Sequence, residues 1–261
     1  MEIRLDQKTA MVCGSTAGIG KQTAHMFAAA GARVILVARN EDKLKATLAE
    51  LPQVSGVNHD YVAADFSKPE ELKNAIDKFV ATNPVHILIN NTGGPPAGWL
   101  IEAPVDALES GFAQHIKCNQ ILAQACVPHM KKAGYGRIIN VISTSVKAPI
   151  DFLGVSNVIR GAVANWAKTL SNELGPDGIT VNNVLPGFTA TERLDAIITG
   201  KAQRAGHSEE QAAQIMKGYV PARRFAQPEE VAAAITFLAS DKAGYINGIN
   251  LPVDGGRTKS L

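Results

Sequence analysis

Gly14-Ser15-Thr16-Ala17-Gly18-Ile19-Gly20 stands between a β-branched run, Thr9 to Val12, and a segment of helical period, and its glycines follow a Gly-x-x-x-Gly-x-Gly spacing. Glycines at a strand-to-helix turn permit a tight bend and let a ligand approach the backbone closely. The helix that follows offers free N–H groups and the positive end of its dipole to a pyrophosphate. The spacing alone is a weak motif. Its place between strand and helix points to dinucleotide binding.

Outward from this turn, short β-branched runs alternate with longer helical patterns, as expected for a parallel sheet covered on both faces. The predicted strands are Thr9 to Val12, Arg33 to Val37, Val57 to Val62, Val85 to Asn90, Gly136 to Ile142, Ile179 to Leu185 and Ile249 to Val253. Between them Leu44, Leu48 and Leu51 form one apolar face, Leu72, Ile76, Phe79 and Val80 another, and Val231, Ile235 and Leu238 a third. Gly31 reads as the residue that ends the first helix, and Ser67-Lys68-Pro69-Glu70 has capping-box spacing. The expected fold is therefore α/β: one domain over residues 1–261, a Rossmann-type doubly wound parallel sheet of about seven strands with helices on both faces. The one irregular, polar segment, Glu192 to Gly218, follows a strand's carboxyl end and is a lid candidate.

Composition narrows the partners. The 261 residues are 46% hydrophobic and 19% charged, with a formal net charge of +2 and no basic stripe, so nucleic acid is not an expected partner and a small-molecule substrate is. Met1-Glu2-Ile3-Arg4 lacks a signal-peptide pattern and no apolar run is long enough to span a membrane, which predicts a cytoplasmic protein without a membrane partner. Cys13, Cys118 and Cys126 form no pair, and the six histidines are scattered, so neither disulfide nor metal site is expected; buried cysteine is the ordinary reading. At the end of the second strand the chain reads Val37-Ala38-Arg39-Asn40, with Arg39 where an acidic residue would hold an NAD ribose. Arg39 suits a 2′-phosphate, so NADP(H) is the expected cofactor and NAD(H) the alternative.

These residues resemble the short-chain dehydrogenase/reductase family, particularly its 3-oxoacyl-carrier-protein-reductase-like branch. The resemblance rests on the glycine turn, Asp65-Phe66, Asn90-Asn91-Thr92-Gly93, Asn119, Ser143, Pro186-Gly187-Phe188-Thr189-Ala190-Thr191 and Val253-Asp254-Gly255-Gly256, in this order along nearly the whole chain. It implies cofactor contacts from Gly14, Ser15, Thr16, Gly18, Ile19, Gly20, Arg39, Asp65, Phe66, Asn91, Gly93, Pro186, Gly187, Thr189 and Thr191. Cys13 and Thr92 stand where the family usually has Thr and Ala.

The larger departure concerns the family's Tyr and the Lys four residues after it. Thirteen residues beyond Ser143 stands Ser156, and four further on Arg160; Gly161-Ala162, Leu170 and Glu173-Leu174 keep the family's register. The resemblance then implies a site of Asn119, Ser143, Ser156 and Arg160, with Arg160 also toward the cofactor ribose. A serine hydroxyl is far less acidic than a phenol and guanidinium stays protonated, so this pair does not copy the usual proton relay. Three functions stay open: an NADP(H)-dependent oxidoreductase of a carbonyl or alcohol with an atypical site, a non-catalytic NADP(H)-binding sensor or partner subunit, and, behind these, an enzyme using bound cofactor for another reaction such as a lyase or isomerase step.

A substitute proton donor is sought among Lys147, Asp151 and water. Tyr135 lies at the wrong end of the sheet, Tyr61 reads as packing, and Tyr219 and Tyr245 are not placed by sequence. His115, one turn before Asn119, reads as a packed or surface histidine, and Trp99, after the stiff Pro95-Pro96, as a pocket wall or a cover over the core, with position favouring the pocket slightly. The helix from about Asn157 to Leu174 carries a broad apolar stripe of Val158, Ile159, Ala162, Val163, Trp166, Ala167 and Leu170. Family resemblance makes it an interface of a homodimer or homotetramer; core packing explains the same stripe.

Overall fold

Alternate side chains of strand β1 (Thr9–Cys13) enter two different cores: Ala10 and Val12 one, Met11 and Cys13 the other. That two-residue period across a wholly buried strand requires helices on both faces of a sheet. The computed structural model describes residues 2–54 and 56–260; Met1, Ser55 and Leu261 lie outside the described residues. The strands are β1, β2 (Arg33–Ala38), β3 (Asp60–Ala63), β4 (Ile87–Asn90), β5 (Gly136–Val141), β6 (Ile179–Pro186) and β7 (Asn250–Val253). They pair in parallel in the order β3-β2-β1-β4-β5-β6-β7. The doubly wound, single-domain reading is therefore correct.

Helices α1 (Gly18–Ala29), α2 (Glu41–Glu50) and α9 (Pro228–Ala239) cover one face through Phe27, Leu44 and Ile235. The other is covered by α3 (Pro69–Val80), α5 (Cys118–Ala133) and α6 (Gly154–Leu174) through Ile76, Leu122 and Ala167. Helix α4 (Val105–Phe112) crosses α6, so closely that a Cβ on Gly111 would meet Ile159 Cγ1 at 2.9 Å. All three cysteines are buried, and burial pushes the Cys118 thiol up to about 11 and that of Cys126 to about 12. Among the described residues no helix is long and apolar enough to cross a membrane.

Three local expectations are corrected. Strand β3 begins at Asp60, not Val57, because the His59 ring takes the place of a strand partner: its Nδ1 accepts from the Val34 N–H at 3.1 Å. Ser67 does not cap α3. Its hydroxyl and N–H both donate to Asp65 Oδ1, at 2.8 and 2.9 Å, and the helix starts at Lys68-Pro69 without a side-chain cap. An Asx turn has outcompeted the box for the same hydroxyl. Glu192 to Gly218 is not irregular but two helices, α7 (Glu192–Ala205) and α8 (Glu209–Gly218). Leu194, Ile198, Ala202, Ala212 and Met216 give them a small core of their own, and Ser208 with Gln211 forms a capping box for α8.

An amide chain absent from the sequence reading ties the sheet together. Asn90, Asn140, Asn183 and Asn250 are register partners on β4 to β7, and each side-chain NH₂ donates to the next side-chain carbonyl at 2.8 Å.

Candidate active site

The carboxyl ends of β1, β4, β5 and β6 meet at the switch in strand order, where a crevice is expected. A cavity of about 730 Å³ opens there. Gly14, Thr16, Gly18 and Ile19 line one side, Asn91 and Gly93 the floor, and Pro186, Gly187, Thr189 and Thr191 the far wall. Gly14 has φ +59°, and a Cβ on it would lie 2.4 Å from the Asn91 carbonyl oxygen; one on Gly20 would lie 2.1 Å from that of Gly14. Only glycine fits either place. Asn91 Nδ2 donates to the carbonyls of Cys13 and Gly14, both at 3.3 Å, and Ser15 Oγ to that of Val37 at 3.4 Å. Ser15 and Gly20 thus shape the turn from behind and do not line the cavity.

Helix α1 begins after Ala17 with no side-chain cap and no acidic residue in its first turn. Its N–H groups face the cavity unneutralised, so this cradle fits a pyrophosphate. Arg39 is exposed just past β2, in no ion pair among the described residues. Asp65 is held below the usual carboxylate range, first by Ser67 and also by the Arg39 charge. Arg39, Asp65 and Phe66 lie outside the cavity proper.

Ser143, after β5, and Ser156 and Arg160, one turn apart on α6, line the same cavity. Ser143 Oγ accepts from the Ser145 N–H at 3.1 Å, which leaves its O–H to donate. Ser156 is 5% exposed and Arg160 7%. The Arg160 guanidinium donates to the carbonyls of Val141 at 3.2 Å and Thr92 at 3.3 Å, bridging the chain beyond β4 to β5. Burial and the neighbouring Arg193 lower its pKa to about 10, so it remains a cation at neutral pH.

His115 is buried, with Nδ1 2.8 Å from Thr92 Oγ1. It sits on a π-helical turn, Ala113–Lys117, that joins α4 to α5. Asn119, four residues further on, is buried on α5, and neither His115 nor Asn119 lines the cavity. Burial, with Arg160 and Arg193 next, drives the His115 pKa from 6.5 to about 3. The unfolded chain therefore binds a proton that the folded chain refuses. This contribution is intact above pH 6.5 and is lost as pH falls toward 3, at about 1.4 kcal/mol per pH unit. Denaturant midpoints at pH 6.5 and 5 are expected to show wild type losing about 2 kcal/mol more than His115→Gln; equal losses would place the proton uptake elsewhere.

A family model described as "Enoyl-(Acyl carrier protein) reductase" matches residues 14–258. The chain belongs to the short-chain dehydrogenase/reductase family. It is 33% identical over 256 residues to the uncharacterized oxidoreductase YxbG of Bacillus subtilis, covering 97% of this chain and 92% of that one. It is 30% identical over 257 residues to D-beta-hydroxybutyrate dehydrogenase of Rhizobium meliloti, covering 96% and 98%. L-Sorbose reductase of Gluconobacter frateurii, solved with NADPH and L-sorbose, superposes with a TM-score of 0.93 at 31% identity over 100% of both chains.

In this family member none of the four tyrosines lines the cavity. Tyr135 Oη donates to the Ala239 carbonyl at 2.6 Å and Tyr61 Oη to Glu41 at 3.0 Å, while Tyr219 and Tyr245 are exposed. Lys147 and Asp151 do not line it either, and Trp99 is half exposed against Phe152 rather than a pocket wall. Sequence reading passed over Arg193 and Arg257, which do line it. Arg257 directly follows Asp254-Gly255-Gly256 and Arg193 stands two residues after Thr189-Ala190-Thr191, and that nearness was the available signal.

Proposed function

We propose that the chain is an NADP(H)-dependent oxidoreductase interconverting a carbonyl and an alcohol, with Ser156 and Arg160 at the positions of the family's Tyr and Lys. The observation that carries this reading is that one cavity joins the uncapped glycine turn to two hydroxyls, Ser143 and Ser156. When bound, NADP(H) supplies or accepts the hydride. Gly14, Thr16, Gly18 and Ile19 receive its pyrophosphate, Asp65 and Phe66 flank the adenine side, and Arg39 meets the 2′-phosphate. Asn91, Gly93, Pro186, Gly187, Thr189 and Thr191 line the rest of the cleft.

The Ser143 O–H donates to the substrate carbonyl oxygen, and Ser156 adds a second hydroxyl beside it. Since neither Ser156 nor the Arg160 guanidinium is an adequate acid, water beside Ser156 delivers the proton to the developing alkoxide. Arg160 fixes the floor through its bonds to the Val141 and Thr92 carbonyls. Helices α7 and α8 form a lid, through Arg193, Leu194 and Ile197 on the cavity wall. Exposed Val105, Phe112 and Val158 on the crossed helices α4 and α6 support a homodimer or homotetramer. A second reading, a dinucleotide-binding sensor or partner subunit without turnover, is favoured by one fact: Arg160 is committed to main-chain carbonyls.

Fluorescence titration tests the common ground. NADPH is expected to bind about tenfold or more tightly than NADH, and Arg39→Glu to reverse that order by setting a carboxylate against the 2′-phosphate. Failure to bind either dinucleotide overturns both readings; NADH preference in wild type removes the Arg39 assignment.

A further inference from the structure

The cavity wall carries an unbalanced charge. Lys21, Arg160, Arg193 and Arg257 line it, and Glu192 is the opposing carboxylate. Lys21 is paired with Glu50, whereas Arg160, Arg193 and Arg257 enter no ion pair among the described residues. Arg160 and Arg193 converge: the point a Cβ on Gly94 would occupy lies 3.2 Å from one guanidinium and 2.7 Å from the other. Guanidinium groups brought this close, with no carboxylate paired to either, raise the local potential and favour the binding of an anion.

Arg257 is the member held in place. Its guanidinium lies 4.3 Å from the Phe188 ring centroid and its Nη1 3.4 Å from Thr144 Oγ1, and both partners line the cavity. Asp254, the nearby carboxylate, is occupied by the N–H groups of Gly256 at 3.0 Å and Thr258 at 2.7 Å. Lys201, half-buried, lies in the field of Arg257 and Arg204, with Asp151 opposing them, and its pKa is lowered by burial and by those cations. Thr144 is the chain neighbour of Ser143 and follows β5, two strands along from β1 and its glycine turn. At the usual strand spacing that is about 10 Å from a pyrophosphate on α1. The positive charge at Arg257 thus belongs to the substrate half of the cavity.

We propose that Arg257, seated on Phe188 and Thr144, binds the carboxylate of the substrate, so that the compound reduced beside Ser143 is a short oxo acid. The proposal rests on the oxidoreductase reading for the word substrate, but the anion site itself does not need turnover. Saturation-transfer NMR is run on pyruvate, acetoacetate and levulinate, each beside its methyl ester, with and without NADPH. Acids are expected to bind wild type about tenfold or more tightly than their esters. In Arg257→Gln the acids fall to the level of the esters, the esters and NADPH bind as before, and Arg257→Lys keeps most of the preference. Equal binding of acid and ester in wild type, no transfer to any acid, or an Arg257→Gln loss confined to NADPH each overturns the site. If NADPH fails to bind while the acids still outbind their esters, the oxidoreductase reading falls and the anion site stands.

Discussion

Replacing Asn140 by Ala is expected to lower stability by about 3–5 kcal/mol, a large share of the 5–15 kcal/mol of an ordinary domain. Asn140 is the second of four amides in the chain across β4 to β7. It accepts from Asn90 Nδ2 and donates to Asn183 Oδ1, both at 2.8 Å. All three side chains are buried. Truncation therefore leaves one donor and one acceptor unmade in the core, each costing about 1–3 kcal/mol, besides the bonds themselves. The effect reaches the site through the backbone. Asn91, next after Asn90, holds the Cys13 and Gly14 carbonyls, so NADPH affinity is expected to fall together with stability. Guanidinium denaturation and the NADPH titration, on the same preparation, check both. A stability loss below about 1 kcal/mol would mean that water or repacking satisfies the orphaned amides.

The physical range of each interaction decides how much was legible in the chain. The fold was, because a buried parallel strand and an amphipathic helix each write their period locally; β1 and the glycine turn needed nothing from the rest of the molecule. The asparagine chain was not. Its members lie 50, 43 and 67 residues apart, and only the register of four strands brings them into line. Ser67 shows the limit of a local rule: the capping-box spacing is present, but Asp65 two residues earlier captures the hydroxyl. Asn119 was legible as a motif residue, but its burial on α5 outside the cavity depends on packing that no local pattern encodes. Arg193 and Arg257 sit beside legible motifs, yet what makes them part of the cavity is the reach of their side chains back to Gly94 and Thr144, and no periodicity encodes that.

Restoring a phenol and an ammonium to α6 is the prediction of largest effect on rate. In the double variant Ser156→Tyr/Arg160→Lys, kcat for NADPH-dependent carbonyl reduction is expected to rise about 10²–10⁴-fold over wild type at neutral pH. On the proposed reading, the developing alkoxide in wild type meets two serine hydroxyls and water, none with a pKa near the working range. A phenol at position 156 lies in the same cavity as the Arg193 guanidinium, with an ammonium one turn away, and both cations favour its ionised form. That makes it a competent acid and confers a pH dependence on the rate that wild type lacks. The exchange at Arg160 has a cost in stability. Its two bonds, to Val141 and Thr92, need a forked donor, and a single ammonium does not span both, so a lower melting point is expected in the double variant. Turnover in the double variant with none in wild type selects the dinucleotide-binding reading. Turnover in both, separated by the predicted factor, selects the oxidoreductase whose proton comes from water. A folded double variant that binds NADPH but gains no rate over an active wild type would show that the wild-type site already holds its acid, and the assignment of Ser156 and Arg160 to the family's Tyr and Lys would then fail.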